Sequence, residues 1–475
     1  MRNLLLLFFL IGVFQFSKAQ ETLSLDRAIE LGLQNNFDVQ IQKFEIDIAE
    51  GNNTWGIAGA FPIVNFNVNQ NNNVTQRKPA NPFAVPGRNI SDNLVGTLDI
   101  QFVIFDGFFI KVSKRRLEQL ENLSYGNATL VIESTIQTII LGYYQALLER
   151  ERTEVRKRVM DFSRERFDYV KLRKELGGAI TFDVLQAQND YLTDSTNYLL
   201  QEQVYRNTIR NLNFVLNEEI NKTYLLTDSL LFTDERYMYD NLKQKMVSSN
   251  TNLRNQFINQ ELVRLNTRSA LSDRYPTIAF NTGITGSLDR LNANFGSNTG
   301  EPVTNTVGYV NGDPDFPVLN TVPSRIQVNQ TLDGNAYGAF GNFTMRYTLF
   351  NGGLIKRNIE NAQLRERITQ LDTDQLKLAL ENELIIAHEN YDLLRQLVEI
   401  ASIKLKAAEI NLELGNERYK NGALSAIDLR IVQQAYQDAA LENYLAIFSA
   451  LARRVDLVRL TGGLVDQYDA RPTKN

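Results

Sequence analysis

Four short segments of this chain alternate apolar and polar residues. In PIVNFNVNQ, Val64, Phe66 and Val68 alternate with Asn65, Asn67 and Asn69. In TLDIQFVIF, Leu98, Ile100, Phe102 and Ile104 alternate with Thr97, Asp99 and Gln101. PTIAFNTGIT sets Ile278, Phe280 and Ile284 against Thr277, Asn281 and Thr285. GNFTMRYTLF sets Phe343, Met345, Tyr347 and Leu349 against Asn342, Thr344, Arg346 and Thr348. A period of two predicts strands with one apolar and one hydrated face, here over about 62–71, 96–105, 276–286 and 340–350. Roughly ten residues each is the length of a tilted transmembrane β-strand. Aromatic residues gather at the strand ends, as in an interfacial girdle: Phe61, Phe105, Phe108, Phe109, Tyr275, Tyr337 and Phe350. The stretches joining each pair, QNNNVTQRKPANPFAVPGRN and the Asn/Gly/Pro-rich run from Ser287 to Ala336, read as long polar loops.

A different period governs the rest. From Leu380 the apolar positions run Leu384, Ala387, Tyr391, Leu394, Val398, Ala401, Leu405, Ala408 and Leu412, alternating steps of four and three. That is a heptad seam, the mark of a long packed helix. The pattern predicts helices over about 25–57, 108–176, 181–216, 237–271, 354–420 and 425–460. At 1.5 Å per residue the longest reach on the order of 100 Å.

The elements come twice in the same order, which predicts a first repeat over 20–225 and a second over 226–475. Phe105-Asp106-Gly107 and Phe350-Asn351-Gly352 stand 245 residues apart, as do Gly177 and Gly422, and Asp183 and Asp428. A shared offset at separated landmarks points to internal duplication. Asp106-Gly107 and Asn351-Gly352 supply the residue types that turn a strand sharply into a helix. Gly177-Gly178 and Gly422 break the long helices into hairpins.

Four strands cannot close a membrane barrel, and lipid tolerates no open sheet edge. Closure between chains is therefore required, and three copies would give twelve strands. The fold class expected is a mixed α/β membrane protein: long coiled-coil helices forming a helical barrel, plus four transmembrane strands per chain.

Residues 1–19 read as a secretory signal peptide: Arg2, an apolar stretch from Leu4 to Phe16, then Ser17-Lys18-Ala19. Without them the chain carries 48 Lys plus Arg against 55 Asp plus Glu, interspersed, which argues against a nucleic-acid partner. There is no Cys, hence no disulfide scaffold and no thiolate nucleophile. The single His388 lies off the heptad seam and reads as a solvated surface residue that cannot build a His-rich metal site alone. The composition predicts no enzyme, no cofactor and no metal. A coiled-coil stalk or adhesion protein is the alternative, but it leaves the strand pairs unused.

Signal, duplicated plan, F-[DN]-G corners and G-x5-D breaks together resemble the TolC-like outer membrane efflux proteins, over essentially the whole mature chain. The resemblance implies a homotrimeric outer membrane channel with a periplasmic helical barrel. It acts as the exit duct of a tripartite efflux or type I secretion system, with an adaptor protein and an inner-membrane transporter of the RND, ABC or MFS type. It also implies that the helix hairpins are a gate, with Asp183 and Tyr419 as latch candidates and Asp428 as a pore-ring candidate. The chain departs from the family where Leu424 replaces an arginine and Ile431 a second pore aspartate. The bland reading of Asp183 and Asp428 is helix capping.

Overall fold

The four alternating segments form one antiparallel sheet in the computed structural model, which describes residues 21–78, 80, 85–468, 470 and 472. Residues 1–19, read as a signal peptide, lie outside the described residues. The sheet strands are β2 (Ile63–Arg77), β3 (Gly87–Asp106), β5 (Thr277–Tyr309) and β6 (Pro317–Arg346), in the order β2-β3-β5-β6. With Thr54–Arg115 and Leu265–Ala362 they make up one compact unit of the chain.

All four strands differ from the predicted ranges. The runs read as polar loops are largely strand: β5 has 33 residues and β6 has 30, paired almost to their turn. The alternation was read only up to about residue 286, and above Leu288 the apolar residues change phase, Leu291, Ala293 and Phe295 taking the face that is polar below, so the long polar composition read as loop. β6 stops at Arg346, leaving Tyr347 to Phe350 outside the sheet. A register shift between Val103 and Phe105 makes Ile104 a bulge and puts Phe105 opposite Ile278.

The second unit is helical, over 21–53, 116–264 and 363 onward. Its long elements are α3 (Phe109–Glu175), α4 (Thr181–Leu216), α7 (Leu354–Lys420) and α8 (Ala426–Leu460). α3 and α7 have 67 residues each, and both their first and last residues differ by 245. The segments read as single helices over 25–57 and 237–271 are each broken. α1 (Leu25–Asn35) and α2 (Phe37–Asn52) meet at Asn36; α5 (Tyr239–Ser249) and α6 (Thr251–Ser272) meet at Asn250. Both asparagines are extended and cap the following helix, Asn36 accepting from the Val39 amide and Asn250 from the Leu253 amide.

The seam of α7 is packed as read: Leu380, Leu384, Ala387, Tyr391, Ala401 and Leu412 are buried. In the main core Ile136, Ile139, Tyr143 and Leu147 of α3 meet Leu212 and Leu216 of α4. The core is closed by a two-stranded parallel sheet, β1 (Glu21–Leu23) with β4 (Tyr224–Leu226). Tyr143 fixes it through the Leu23 carbonyl at 2.8 Å and the Asp228 carboxylate at 2.6 Å.

His388 is not the solvated residue it was read to be. Its side chain is 17% exposed, and Nε2 lies 2.9 Å from the Tyr237 carbonyl oxygen. It sits 245 residues after Tyr143 and likewise holds a crossing segment by its backbone. A helix face that anchors an incoming segment need not lie on the heptad seam.

Candidate functional site

Two regions carry the candidate residues, and the local fold explains each. At the strand-to-helix corner, Asp106 accepts a hydrogen bond from the Ile110 amide at 2.8 Å, capping α3. Gly107 has φ of 69° and Phe108 has φ of 72°. A Cβ on Gly107 would lie 2.5 Å from the Ser272 carbonyl oxygen, so both conformation and space demand glycine. Phe108 accepts a left-handed backbone that costs of order 1–3 kcal/mol. Its ring is held edge-on by Phe105 and Tyr275, with centroids 5.4 and 6.1 Å away. The second corner relaxes that strain: Asn351 is followed by Gly352 and Gly353, both with positive φ.

The hairpin tips repeat one geometry. At the first, Gly177 (φ 77°) donates to the Lys174 carbonyl and Gly178 to the Arg173 carbonyl. At the second, Gly422 (φ 73°) donates to the Tyr419 carbonyl and Ala423 to the Arg418 carbonyl. These are the paired bonds that end a helix on a left-handed glycine. The returning helices are capped: Asp183 accepts from the Ile180 amide at 3.1 Å, and Ser425 from the Asp428 amide at 3.1 Å. The Ser425 hydroxyl donates to the Asp428 carboxylate at 2.7 Å. Within one chain, then, the Asp183 carboxylate takes part in the cap of α4, and that of Asp428 holds Ser425, the cap of α8.

Both tips line one groove of about 700 Å3 that contains Asp183, Tyr419, Leu424 and Ile431. Tyr419 is 9% exposed and packs edge-on against Tyr169 at 5.8 Å. Burial pushes its phenol pKa above the usual value, against the pull of Arg166 and Arg173.

The strongest polar contacts beside the groove are ones that sequence reasoning missed. Arg430, in the first turns of α8, donates from both guanidinium ends to Asp194 of α4, at 2.6 and 2.8 Å. Ser163 of α3 donates to the same carboxylate. One helical turn away, Arg166 of α3 pairs with Asp190 of α4. Asp194 and Arg166 are 3% and 5% exposed. This cluster ties the second hairpin to the first. It was invisible because arginine and aspartate on charge-rich helices read as a solvated face, and Asp194 and Arg430 stand 236 residues apart.

The sheet is the other candidate surface. Residues directly opposite share a face, so the register collects Val64, Phe66, Leu98, Ile100, Phe102, Phe280, Ile284, Phe343 and Met345 on one side. Thr282, the polar residue among them on β5, turns its hydroxyl to the Phe340 carbonyl at 2.9 Å. The opposite face is a hydrogen-bonded ladder. Asn65 and Asn67 donate to Asp99 at 3.1 and 2.9 Å; Thr97 meets Thr285 at 3.3 Å; Asn281 donates to Asn342 and Thr344. β2 and β6 are the edge strands, paired on one side only. Among the described residues no helix is long and apolar enough to cross a membrane, and no cluster of three metal-ligating side chains occurs.

No family profile and no curated protein matches this sequence. Solved structures do match its fold. The Campylobacter jejuni CmeC outer membrane channel superposes with a TM-score of 0.68 at 15% identity, covering 94% of this chain and 90% of that one. The outer membrane protein VceC of Vibrio cholerae gives 0.67 at 13% identity, covering 92% and 96%. The Neisseria gonorrhoeae MtrE outer membrane channel in its open state gives 0.60 at 15%, covering 93% and 89%. The chain has the fold of the TolC-like outer membrane channels.

Proposed function

We propose that this protein is the outer membrane exit duct of a tripartite efflux or type I secretion system, conducting substrates passively as a homotrimer. The observation that carries the reading is the two-faced sheet with free edges. From Ile278 to Leu288 the apolar face of β5 spans eleven residues, which at a tilt near 45° is a band roughly 25 Å tall. That is the height of an outer-membrane barrel's lipid face. Lipid forbids the unpaired edges of β2 and β6, so each must meet a neighbouring copy, and three copies make twelve strands.

The helices support the same assembly. α7 carries a second, exposed apolar stripe at Leu364, Leu371, Leu378 and Ile385, and α4 one at Leu185, Leu192 and Leu199. Both repeat every seven residues, the spacing of a coiled-coil seam awaiting a partner helix. The repeated corner and hairpin geometry, at one offset of 245, supports the two-repeat organisation over 20–225 and 226–475. The fold's relatives are outer membrane channels, which supports a non-enzymatic role, an outer membrane address with a large periplasmic part, and partnership with an adaptor and an inner-membrane transporter. The hairpin tips would then form the periplasmic gate, with Asp183 and Tyr419 in its latch.

The test is the native mass of the protein extracted from outer membranes in mild detergent. A particle of three chains is expected; a monodisperse single chain, soluble without detergent, would overturn the duct.

Trimerisation would bring three copies of Asp428 round one axis, where like carboxylates favour cations. Asp428→Asn keeps a side-chain oxygen that can accept from the Ser425 hydroxyl and removes only the charge. Cation-over-anion permeability of reconstituted channels is expected to fall towards unity. An unchanged ratio would remove Asp428 from the pore ring.

A further inference from the structure

Each strand-to-helix corner is followed by a lysine that the turn geometry leaves unexplained. Ile110-Lys111 and Ile355-Lys356 close the repeated stretches IFDGFFIK and LFNGGLIK, again 245 residues apart. Each lysine stands in the first turn of a 67-residue helix, and neither first turn holds an acidic residue. A helix N-terminus favours anions and disfavours cations. From Gly107 to Leu117 the chain nevertheless carries Lys111, Lys114, Arg115 and Arg116 and no acid. Helix stability does not account for these charges.

Their place is set by the sheet above them. Asp106, Thr277 and Arg346 form one transverse row at its foot, on the polar face. Asp106 and Phe109 of one corner and Asn351 and Leu354 of the other line one groove of about 480 Å3, so the two lysine-bearing turns start side by side. Phe105, opposite Ile278, ends the apolar face. The rings of Phe108 and Tyr275 stand edge-on to it, at 5.4 and 6.5 Å, and the Lys111 ammonium lies 5.7 Å from the Phe108 centroid. Lys114 repeats the arrangement over Trp55, at 5.8 Å. Leu349 and Phe350, leading into the second corner, are almost fully exposed. Apolar band, aromatic rings and ammonium groups follow one another, which is the order of hydrocarbon, interface and headgroup in a bilayer.

Charge decides what covers the ammonium groups. Asp106 spends its carboxylate on the Ile110 amide, and Asp273 and Arg274, both exposed, offset each other. Lys111, Arg115 and Arg357 have no carboxylate partner among the described residues, and Lys356 reaches only Glu360, at 3.8 Å. We infer that the periplasmic foot of the sheet binds anionic phospholipid headgroups, Lys111, Lys114 and Lys356 holding their phosphates while the aromatic rings meet the upper acyl chains. The inference rests on the exit-duct reading, in which the apolar face meets lipid. A lipid phosphate suits the site better than a soluble anion, because the ammonium groups sit directly beneath that face, at the height where headgroups are concentrated. In a trimer Lys111 and Lys356 become a collar of six.

Trp55 is the only tryptophan of the chain and lies against Lys114, so its fluorescence reports on lipid at the collar. Full-chain trimers are reconstituted into phosphatidylcholine vesicles doped with either brominated phosphatidylglycerol or brominated phosphatidylcholine. The anionic lipid is expected to quench Trp55 as if bound about threefold more tightly or better. In about 0.5 M salt that preference should shrink towards one, a result read on unmodified protein and so independent of how any variant folds. The triple variant Lys111→Gln/Lys114→Gln/Lys356→Gln should lose the preference at low salt. Inorganic phosphate replacing chloride at equal ionic strength should leave it unaltered; displacement by phosphate would make this a site for soluble anions and overturn the lipid assignment. Equal quenching by the two lipids at low salt, or a preference that survives in the triple variant, overturns the inference while the duct stands. So does a trimer in the vesicles whose Trp55 neither lipid quenches. If no trimer enters the vesicles, the duct itself fails and the collar falls with it.

Discussion

Arg430→Leu is expected to loosen the hairpin tips more than any other single change in the helical unit. The substitution leaves the Asp194 carboxylate, 3% exposed, with Ser163 but without its bidentate cation. Removing one partner of a buried pair typically costs about 3–5 kcal/mol, because the remaining charge stays desolvated. Here the cost falls on the contact that joins α8 to α3 and α4. Protease cleavage near Gly177-Gly178 and Asn421-Gly422, and amide exchange in the first turns of α4 and α8, should both accelerate. A double variant, Asp194→Leu with Arg430→Leu, separates the explanations. Two apolar residues in place of a buried ion pair are often neutral or better, so most of the protection should return. If the double variant were as labile as Arg430→Leu, the loss would reflect packing by the arginine stem and not the orphaned carboxylate. If neither variant changed protection, the cluster would not hold the hairpins together.

The tip cluster also shows where the sequence was readable and where it was not. The heptad seam from Leu380 to Leu412 marked α7 as one helix, and the left-handed glycines at 352–353 and 422 set its ends, at 354–420 as expected. The helix predicted over 181–216 has those limits too. Periodicity failed at Asn36 and Asn250, where the apolar spacing runs on while the backbone turns for one residue. It failed again above residue 288. There the apolar alternation is short and changes phase, with Leu291, Ala293 and Phe295 set among Asn, Thr and Gly that read as loop. Residues that matter through a distant partner, such as Asp194 through Arg430, carry no local signal at all. Asp183 and Asp428 were legible as residues near helix starts because capping is local chemistry. The pore role proposed for Asp428 and the latch role proposed for Asp183 depend on neighbouring chains, which a single chain's pattern cannot contain. The substitutions Leu424 and Ile431 acquire a context here. They stand in the groove beside Arg166 and Arg430.

The sheet permits a sharper test, because its two faces make opposite demands at the same height. Ile284 lies near the middle of the apolar band, directly opposite Leu98 and Ala339. Thr285, the next residue, sits on the ladder face with its hydroxyl 3.3 Å from that of Thr97. Ile284→Arg would place a guanidinium at the bilayer midplane at a cost of about 2–4 kcal/mol per chain, incurred three times in a trimer. Thr285→Arg would place the same group in water, where its cost is one hydroxyl contact of about 0.5–1.5 kcal/mol. The expected result is loss of folded Ile284→Arg trimer from the outer membrane, with Thr285→Arg recovered as a trimer of altered ion selectivity. Heat-resistant trimer on a gel, together with bilayer recordings, reads both. β-Propensity cannot account for such a split, since the residues are adjacent in one strand and both receive arginine. Equal recovery of the two variants would mean that the apolar face meets protein or water instead of lipid, and the barrel would have to be abandoned. Reversed recovery would mean that the sheet closes with its Asn ladder outward, which lipid does not allow, and would point to a soluble assembly built from the same strands.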